Sequence, residues 1–262
     1  MSARHATRYL AWRFDGSKVP EVTASFWFIK LLTTGMGEAT SDYFVHRFNP
    51  ELAVLCAGVV FATALLVQLN TPRYQTRTYW FCVVMVSVFG TMCADVVHVG
   101  FGVAYVVSSV VFGVVLLGVF ATWQRVERTL SIHSITTSRR ELFYWTSVTA
   151  TFALGTAVGD WTAATLGLGY LDSAVLFLAL ITAVAAQFAL RRRQPIATFW
   201  CAYVLTRPLG ASLADWLGRP PSLGGENWGP GTVSLLSSGV IVVAVVLLAR
   251  HERSESTEAL LG

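Results

Sequence analysis

Long apolar segments alternate with short polar connections along the chain. The segments cover residues 21–45, 51–70, 79–99, 103–124, 142–165, 170–190, 196–217 and 231–250. Crossing a hydrocarbon core of about 30 Å takes roughly 20 apolar residues in a helix. The pattern therefore predicts an all-α, polytopic membrane helix bundle with about eight transmembrane helices. It also predicts one membrane domain at 21–250, between a cytoplasmic N-terminal segment at 1–20 and a cytoplasmic tail at 251–262.

The composition excludes a soluble catalytic protein. Of 262 residues, 54% are hydrophobic and 13% are charged, and the mean hydropathy is +0.58. Soluble domains carry about 25% charged residues. The sequence also lacks the Gly-x-Ser-x-Gly, HExxH and phosphate-loop patterns of common enzyme sites. We therefore expect no enzymatic activity, and no cofactor other than a bound divalent cation.

The placement of the basic residues predicts the orientation of the bundle. Fifteen of the 19 lie in the N-terminal segment or after an even-numbered apolar segment: Arg4, Arg8, Arg13, Lys18, Arg73, Arg77, Arg125, Arg128, Arg139, Arg140, Arg191, Arg192, Arg193, Arg250 and Arg253. The opposite side has only Arg47 and Arg219. Because lysine and arginine are retained on the cytoplasmic side, both termini are expected there. The net charge of +4 then reflects topology rather than binding to nucleic acid.

A four-fold repeat is visible in the odd-numbered segments. Each has an aromatic-Trp pair, a glycine ten residues after the tryptophan and an aspartate five residues later. The sets are Phe26, Trp27, Gly37, Asp42; Tyr79, Trp80, Gly90, Asp95; Tyr144, Trp145, Gly155, Asp160; and Phe199, Trp200, Gly210, Asp215. The repeats span 21–70, 79–124, 142–190 and 196–250. Because each contains two spans, all four point the same way and form a ring or two pairs of hairpins.

Two further expectations concern packing in the repeats. Each repeat glycine is expected to let the even-numbered helix of its own hairpin approach closely. The tryptophans are expected to form an aromatic belt at the membrane interface.

Carboxylates within apolar segments predict a shared polar site. Such residues are costly in hydrocarbon and normally face a bundle interior or an aqueous cavity. The predicted cation-binding residues are Asp42, Asp95, Asp160, Asp215 and Glu38, with Arg207 and Lys30 as charge partners. Polar residues also lie one or two helical turns before the aspartates, on the same face of each helix. These residues, Thr34, Ser87, Thr91 and Thr156, form a polar stripe that predicts a hydrated path beneath the aspartates.

A local role for the aspartates remains open. Asp95 lies 18 residues after Arg77, which is about 27 Å along a helix. The aspartates are therefore expected in the outer third of the bundle, and the alternative is that each caps or ties its own hairpin at the mouth.

Two histidines lie close to the aspartates in sequence. His98 follows Asp95 by three residues, and His46 follows Asp42 by four. Asp and His one helical turn apart can bind a transition metal, whereas interfacial histidines without a partner are the alternative. The acidic, oxygen-rich residues otherwise suit protons or hard cations.

The chain resembles a family of bacterial polytopic membrane proteins known as uncharacterised membrane-anchored proteins. The resemblance is carried by Lys18-Val19-Pro20-Glu21-Val22-Thr23, by Gly37-Glu38-Ala39-Thr40-Ser41-Asp42-Tyr43 and by Thr206-Arg207-Pro208-Leu209-Gly210-Ala211-Ser212. It implies a location in the bacterial inner membrane and implies no activity.

These features favour a membrane transporter for a cation, either a proton or a divalent metal such as Mn²⁺ or Mg²⁺. A cation channel fits the four-fold arrangement equally well. A non-transporting scaffold or sensor, whose carboxylates only join the hairpins, is the third hypothesis. The expected partners are the lipid bilayer and a small inorganic cation, without nucleic acid, and the oligomeric state is left open.

Overall fold

The computed structural model describes residues 16–191 and 195–261, and these residues form helices and no strand. The long helices are α1 (Ala24–Arg47), α2 (Pro50–Asn70), α3 (Thr76–Asp95), α4 (Tyr105–Glu127), α5 (Ser138–Asp160), α6 (Gly169–Arg191), α7 (Pro195–Gly218) and α8 (Pro230–Leu261). Short π-helical turns follow α3 at Val96–Gly100 and α5 at Trp161–Thr165. The prediction of an all-α bundle is confirmed.

Several helices begin at polar side chains that satisfy free backbone N–H groups. Thr23 accepts a hydrogen bond from the backbone of Phe26 at 3.3 Å, and Asn49 accepts one from Leu52 at 2.9 Å. Pro50 then occupies the first turn of α2, where a missing N–H has no cost. The apolar segments therefore become helices whose starts are set by capping residues.

The four odd-numbered helices form a closed inner ring. In the order α1, α3, α5, α7, each packs against the next, and α7 packs against α1. The connections before these helices meet at one end, where Ser17 accepts a hydrogen bond from Tyr74 and Ile135 accepts one from Lys18. The inner helices are therefore parallel, and the ring is the arrangement that forms.

The outer helices pack differently from the hairpins expected from sequence. Helix α2 lies mainly on α3, α4 on α5, and α6 on α7, so each outer helix covers the inner helix of the following repeat. Helix α8 completes the pattern by packing on α1. The last repeat thus covers the first, which leaves no inner helix without an outer neighbour.

The repeat glycines lie at the contacts between adjacent inner helices. A Cβ atom on each would overlap the residue three positions before the glycine of the next repeat. The pairs are Gly37 with Ser87, Gly90 with Phe152, Gly155 with Arg207, and Gly210 with Thr34. The expectation that these glycines admit the even-numbered helices is therefore wrong, because their open faces point along the ring.

The expectation that the repeat tryptophans form an aromatic belt at the membrane interface is also wrong for three of the four. Trp80, Trp145 and Trp200 are buried, and Trp27 is partly buried. Their rings pack with Tyr79, Tyr144 and other aromatic side chains in the main apolar core. The reason is that each ring meets an aromatic side chain of a neighbouring inner helix: Phe26 against Trp80, Tyr79 against Trp145 and Tyr144 against Trp200.

The outer surface is apolar, as a bilayer requires. Helices of sufficient length and apolar character to cross a membrane are Pro50–Asn70, Thr76–His98, Tyr105–Glu127, Gly169–Leu190 and Pro230–Glu255. Leu55, Leu117 and Leu235 on the outer helices are 64%, 67% and 74% exposed. Apolar faces this extensive are a liability in water. The chain is therefore a membrane protein, and the more polar helices α1, α5 and α7 lie inside it.

Ordered structure continues past both predicted ends of the membrane domain, and the membrane boundaries at 21 and 250 stay a prediction. Helix α8 continues to Leu261, well beyond residue 250. Within the N-terminal segment, Lys18 is buried, forms an ion pair with buried Glu141 and donates a hydrogen bond to the carbonyl of Leu69 at 2.9 Å. Gln68 donates to the same carboxylate at 2.9 Å. The end of this segment is therefore packed into the bundle; residues 1–15 lie outside the described residues.

Alanine substitutions at two glycines test the close packing of the inner ring. In Gly210→Ala the added methyl group overlaps Thr34 and lies 2.9 Å from the backbone nitrogen of Gly35. We expect a loss of about 1–3 kcal/mol from overpacking. Gly118 has nothing within 4 Å of such a methyl group, so Gly118→Ala should be neutral or stabilising by up to about 1 kcal/mol. Unfolding followed by tryptophan fluorescence in detergent measures both, and equal effects would contradict the packing described.

Candidate functional site

The four repeat aspartates lie at one end of the inner ring. Asp95 and Asp160 are the last residues of α3 and α5, while Asp42 and Asp215 lie within five residues of the ends of α1 and α7. A π-helical turn begins directly after Asp95 and directly after Asp160. Such turns are frequent at functional sites. The aspartates, called the aspartate ring below, therefore lie at the mouth of the bundle rather than halfway along it.

Arg219 joins two members of the aspartate ring. Its Nη2 atom lies 2.7 Å from Asp42 Oδ2, and its Nε atom lies 3.1 Å from Asp215 Oδ1. Partial burial opposes the charge on Arg219, but the carboxylates of Asp215 and Asp42 outweigh this cost and raise the pKa of the guanidinium. Asp42, Asp215 and Arg219 also line a pocket of about 280 Å³, together with Pro220 and Pro230.

The connection after α7 holds Arg219 in place. Its backbone turns back and donates hydrogen bonds to the last carbonyl groups of α7, including Glu226 N to Trp216 O at 2.7 Å and Trp228 N to Leu217 O at 2.9 Å. Asn227 N donates to the carbonyl of Arg219 itself at 2.9 Å. The glycine-rich connection is thus an ordered rim of the pocket.

The other two aspartates share a second cluster with a histidine. Ligand atoms of Asp95, His98 and Asp160 all lie within 4.8 Å of one another. Asp95 Oδ2 accepts a hydrogen bond from Ser41 at 3.0 Å, and His98 Nδ1 lies 3.8 Å from Asp160 Oδ2. In the part of the chain that is described, neither carboxylate has a lysine or arginine partner within 4.0 Å.

The aspartate ring connects different repeats. Asp42 pairs with Arg219 of the fourth repeat, Asp95 with Ser41 of the first, and Asp160 faces His98 of the second. Asp160 also repels the carboxylates of the other three ring members. The alternative in which each aspartate ties its own hairpin is therefore wrong for these three residues, because their partners come from a neighbouring repeat.

Below the aspartate ring, the guanidinium of Arg207 closes the axis. The side chain is 0% exposed. The two hydrogens of its Nη2 atom are shared among three acceptors, which are Glu38 Oε2 at 2.7 Å, the hydroxyl of Thr156 at 2.7 Å and the hydroxyl of Thr91. These partners come from α1, α5 and α3, so with α7 all four inner helices meet at one cation. We call this set the arginine layer.

The arginine layer changes the predicted roles of Glu38 and of the polar stripe. Glu38 is neutralised by Arg207 and does not belong to the aspartate ring. Thr91 and Thr156 are partners of the same arginine, while the hydroxyl of Ser87 donates to the carbonyl of Thr33 at 2.6 Å. Thr34 likewise donates to a main-chain carbonyl, that of Leu31, at 2.6 Å. The stripe is therefore closed at this level, because its hydroxyl groups are satisfied by Arg207 and by main-chain carbonyl groups.

Lys30 has no carboxylate partner among the described residues. Its Nζ atom is buried and lies 4.3 Å from the ring centre of Tyr203 and 4.5 Å from that of Phe152. The predicted charge pairing of Lys30 is wrong, because its side chain faces the aromatic core while Arg207 already neutralises Glu38. The charge instead lies against aromatic faces.

His46 also differs from the expectation of a metal ligand. It is exposed, and its Nδ1 atom lies 2.7 Å from the carbonyl oxygen of Asp42, one turn earlier in α1. It lines the pocket but takes no part in the His98 cluster. Sequence analysis missed Arg219, although its position four residues after Asp215 was a signal for an ion pair. It also missed Ser108 beside His98, for which spacing offered no signal.

Comparison with known families places the repeats in one group. A family model described as Repeat of Unknown Function (DUF347) matches residues 78–129, 143–194 and 198–254, which together make up more than half of the chain. These ranges coincide with the second, third and fourth repeats. Residues 21–70 carry the same signature without a match. No curated protein and no solved structure matches the chain.

A double substitution tests the arginine layer. In Arg207→Met, Glu38 remains buried without its cation, and we expect a loss of about 3–5 kcal/mol. Arg207→Met combined with Glu38→Leu removes both charges, so the loss should be smaller than in the single variant. Thermal unfolding in detergent measures the three proteins.

Arg139→Met is the matched control for this test. Arg139 also pairs with a glutamate, Glu127, but its side chain is 68% exposed, so its removal should change stability by at most about 0.5 kcal/mol. A double variant that is less stable than Arg207→Met would contradict a charge-neutralising role for Arg207.

Proposed function

The chain belongs to the DUF347 repeat family, and we propose that it is a membrane transporter for a small cation that binds in the aspartate ring. The single observation that carries the proposal is the meeting of four carboxyl groups, one from each repeat, at the mouth of a bundle surrounded by apolar helices. Two of these carboxyl groups pair with the guanidinium of Arg219, and among the described residues the other two have no lysine or arginine within 4.0 Å. Carboxylate charges inside a membrane helix bundle need a positive partner, and protons or metal ions provide one.

The closed axis favours a transporter over a channel. A channel needs a continuous polar path from one side to the other, whereas Arg207 and its partners fill the axis directly below the aspartate ring. Farther along, the rings of Tyr79 and Tyr144 lie stacked with their centres 6.4 Å apart. The pocket beside Asp42 and Asp215 lies at the mouth. Transport through this arrangement proceeds by a second conformation in which the arginine layer opens.

The proposal includes an orientation. The basic connections gather at the end opposite the aspartate ring, where lysine and arginine favour the cytoplasmic side. Both termini are then cytoplasmic, the aspartate ring opens to the outside, and the membrane is the bacterial inner membrane. The protein acts without enzymatic chemistry and without nucleic acid.

A flux assay on the reconstituted protein tests the function. Proteoliposomes are loaded with fluorescent reporters and challenged with protons, Mg²⁺ and Mn²⁺ in turn. We expect saturable flux of at least one cation, reduced to the level of protein-free liposomes by Asp95→Asn and by Asp160→Asn. The reason is that each substitution removes a charge that the cation must neutralise.

Asp172→Asn is the matched control, because Asp172 is exposed in the first turn of α6 and lies outside the aspartate ring. It should leave flux unchanged. Flux that does not saturate would favour a channel. Absence of flux for every cation, with large losses of stability in the ring variants, would favour a scaffold and would overturn the proposal.

A further inference from the structure

His98 is held in one tautomer by the hydroxyl group of Ser108. The Nε2 atom of His98 lies 2.6 Å from Ser108 Oγ, and this hydroxyl donates its hydrogen to the carbonyl oxygen of Tyr105 at 3.0 Å. A serine hydroxyl has one hydrogen to donate, so in this arrangement Ser108 accepts from His98. The proton of the neutral imidazole is therefore on Nε2, and the lone pair is on Nδ1.

The Nδ1 atom of His98 is buried and unpartnered. The residue is 7% exposed, and within the described residues Nδ1 has no hydrogen-bond partner. The ring is fixed from the side by Tyr105, whose centre lies 4.5 Å away. An unpaired buried acceptor carries a cost unless a ligand satisfies it. This one faces Asp95 and Asp160.

The two carboxylates beside His98 differ from the other half of the aspartate ring. Arg219 supplies positive charge to Asp42 and Asp215. Asp95 receives one hydroxyl hydrogen bond from Ser41, and Asp160 has the imidazole at 3.8 Å. The half that contains His98 therefore has two acidic groups and a free nitrogen lone pair. Among the described side chains, no lysine or arginine lies within 4.0 Å of these two carboxylates.

The geometry is close to that of a metal site. Donor atoms on one tetrahedral zinc ion lie about 3–3.5 Å apart, given metal–ligand distances of roughly 2.0–2.2 Å. The three donors here lie within 4.8 Å of one another, so the most distant of them need to approach by up to about 1.3–1.8 Å. Asp160 has room to move, because its side chain is 23% exposed. A histidine whose other nitrogen donates a hydrogen bond is also the usual arrangement around protein-bound metals.

We propose that Asp95, His98 and Asp160 bind a divalent transition-metal ion of the Mn²⁺, Fe²⁺, Co²⁺ or Zn²⁺ type, with Ser108 as the positioning residue for His98. Imidazole with carboxylate ligands suits these ions, whereas Mg²⁺ and Ca²⁺ take oxygen ligands. The inference that this metal is the transported ion rests on the proposed function. The inference that the three residues bind a metal does not require transport.

Co²⁺ is the probe for the site, because its visible absorption reports nitrogen and oxygen coordination. The full-length protein in detergent is titrated with Co²⁺ and followed by absorption and calorimetry. We expect one Co²⁺ per chain, displaced by Zn²⁺ or Mn²⁺ and not by the same concentration of Mg²⁺. Ser108→Ala should weaken binding roughly 10–100-fold, the range for loss of a ligand's hydrogen-bond partner, and His98→Gln should weaken it further.

His133→Gln is the matched control, because His133 is exposed in a connection at the opposite end of the bundle. It should bind Co²⁺ like the native chain. If His98→Gln does not fold, Asp160→Asn provides the same test at a partly exposed side chain. Unchanged affinity in a folded His98→Gln or Asp160→Asn variant, or no Co²⁺ binding by the native chain, overturns the inference.

Binding and flux separate this inference from the proposed function. Co²⁺ binding that depends on His98, without flux of any cation in liposomes, supports the site and overturns the transporter. Proton flux that depends on Asp95, without Co²⁺ binding, supports the transporter and overturns the metal site.

Discussion

The arrangement of the bundle depends on one buried cation, Arg207. A guanidinium that is fully enclosed by helices in a bilayer must have its charge and its donors satisfied within the protein. Glu38 balances the charge, and Glu38, Thr91 and Thr156 contact the Nη2 atom from three different helices, each at the position directly after its repeat glycine. The glycines let the inner helices come close enough for the side chain to reach all three. The register of the ring and the closure of its axis both follow from this contact.

The four repeats build a symmetric ring, and a few unlike residues give it two different halves. Equivalent positions hold the four aspartates, but only the fourth repeat has Arg219 after its aspartate, and only the second has His98 beside it in the cluster. One half is consequently an internal ion pair at the edge of a pocket. The other half has carboxylates and an imidazole lone pair available to an exchangeable cation. Equal repeats supply the framework, and the differences between them supply the chemistry.

Three interpretations from sequence failed for a common reason. Each of these expectations rests on position along one helix. They concern the repeat glycines, three of the repeat tryptophans and Lys30. Their actual neighbours lie on other inner helices or under outer ones, as with Gly90 against Phe152 and Lys30 against Tyr203. Helical periodicity predicts which residues share a face. It carries no information on which helix that face meets.

The sequence by itself determined the eight long helices of the described residues, the direction of the repeats and the presence of the aspartates in one shared register. These features follow from local properties: apolar length, two spans per repeat and constant spacing from glycine to aspartate. Only the tertiary structure decided that the repeats close into a ring and that Glu38 pairs with Arg207. It also decided that Arg219 contacts one pair of aspartates and that His98 lies beside the other pair. Those outcomes depend on distances between side chains that are more than 50 residues apart in sequence, and such distances are set by packing rather than by pattern.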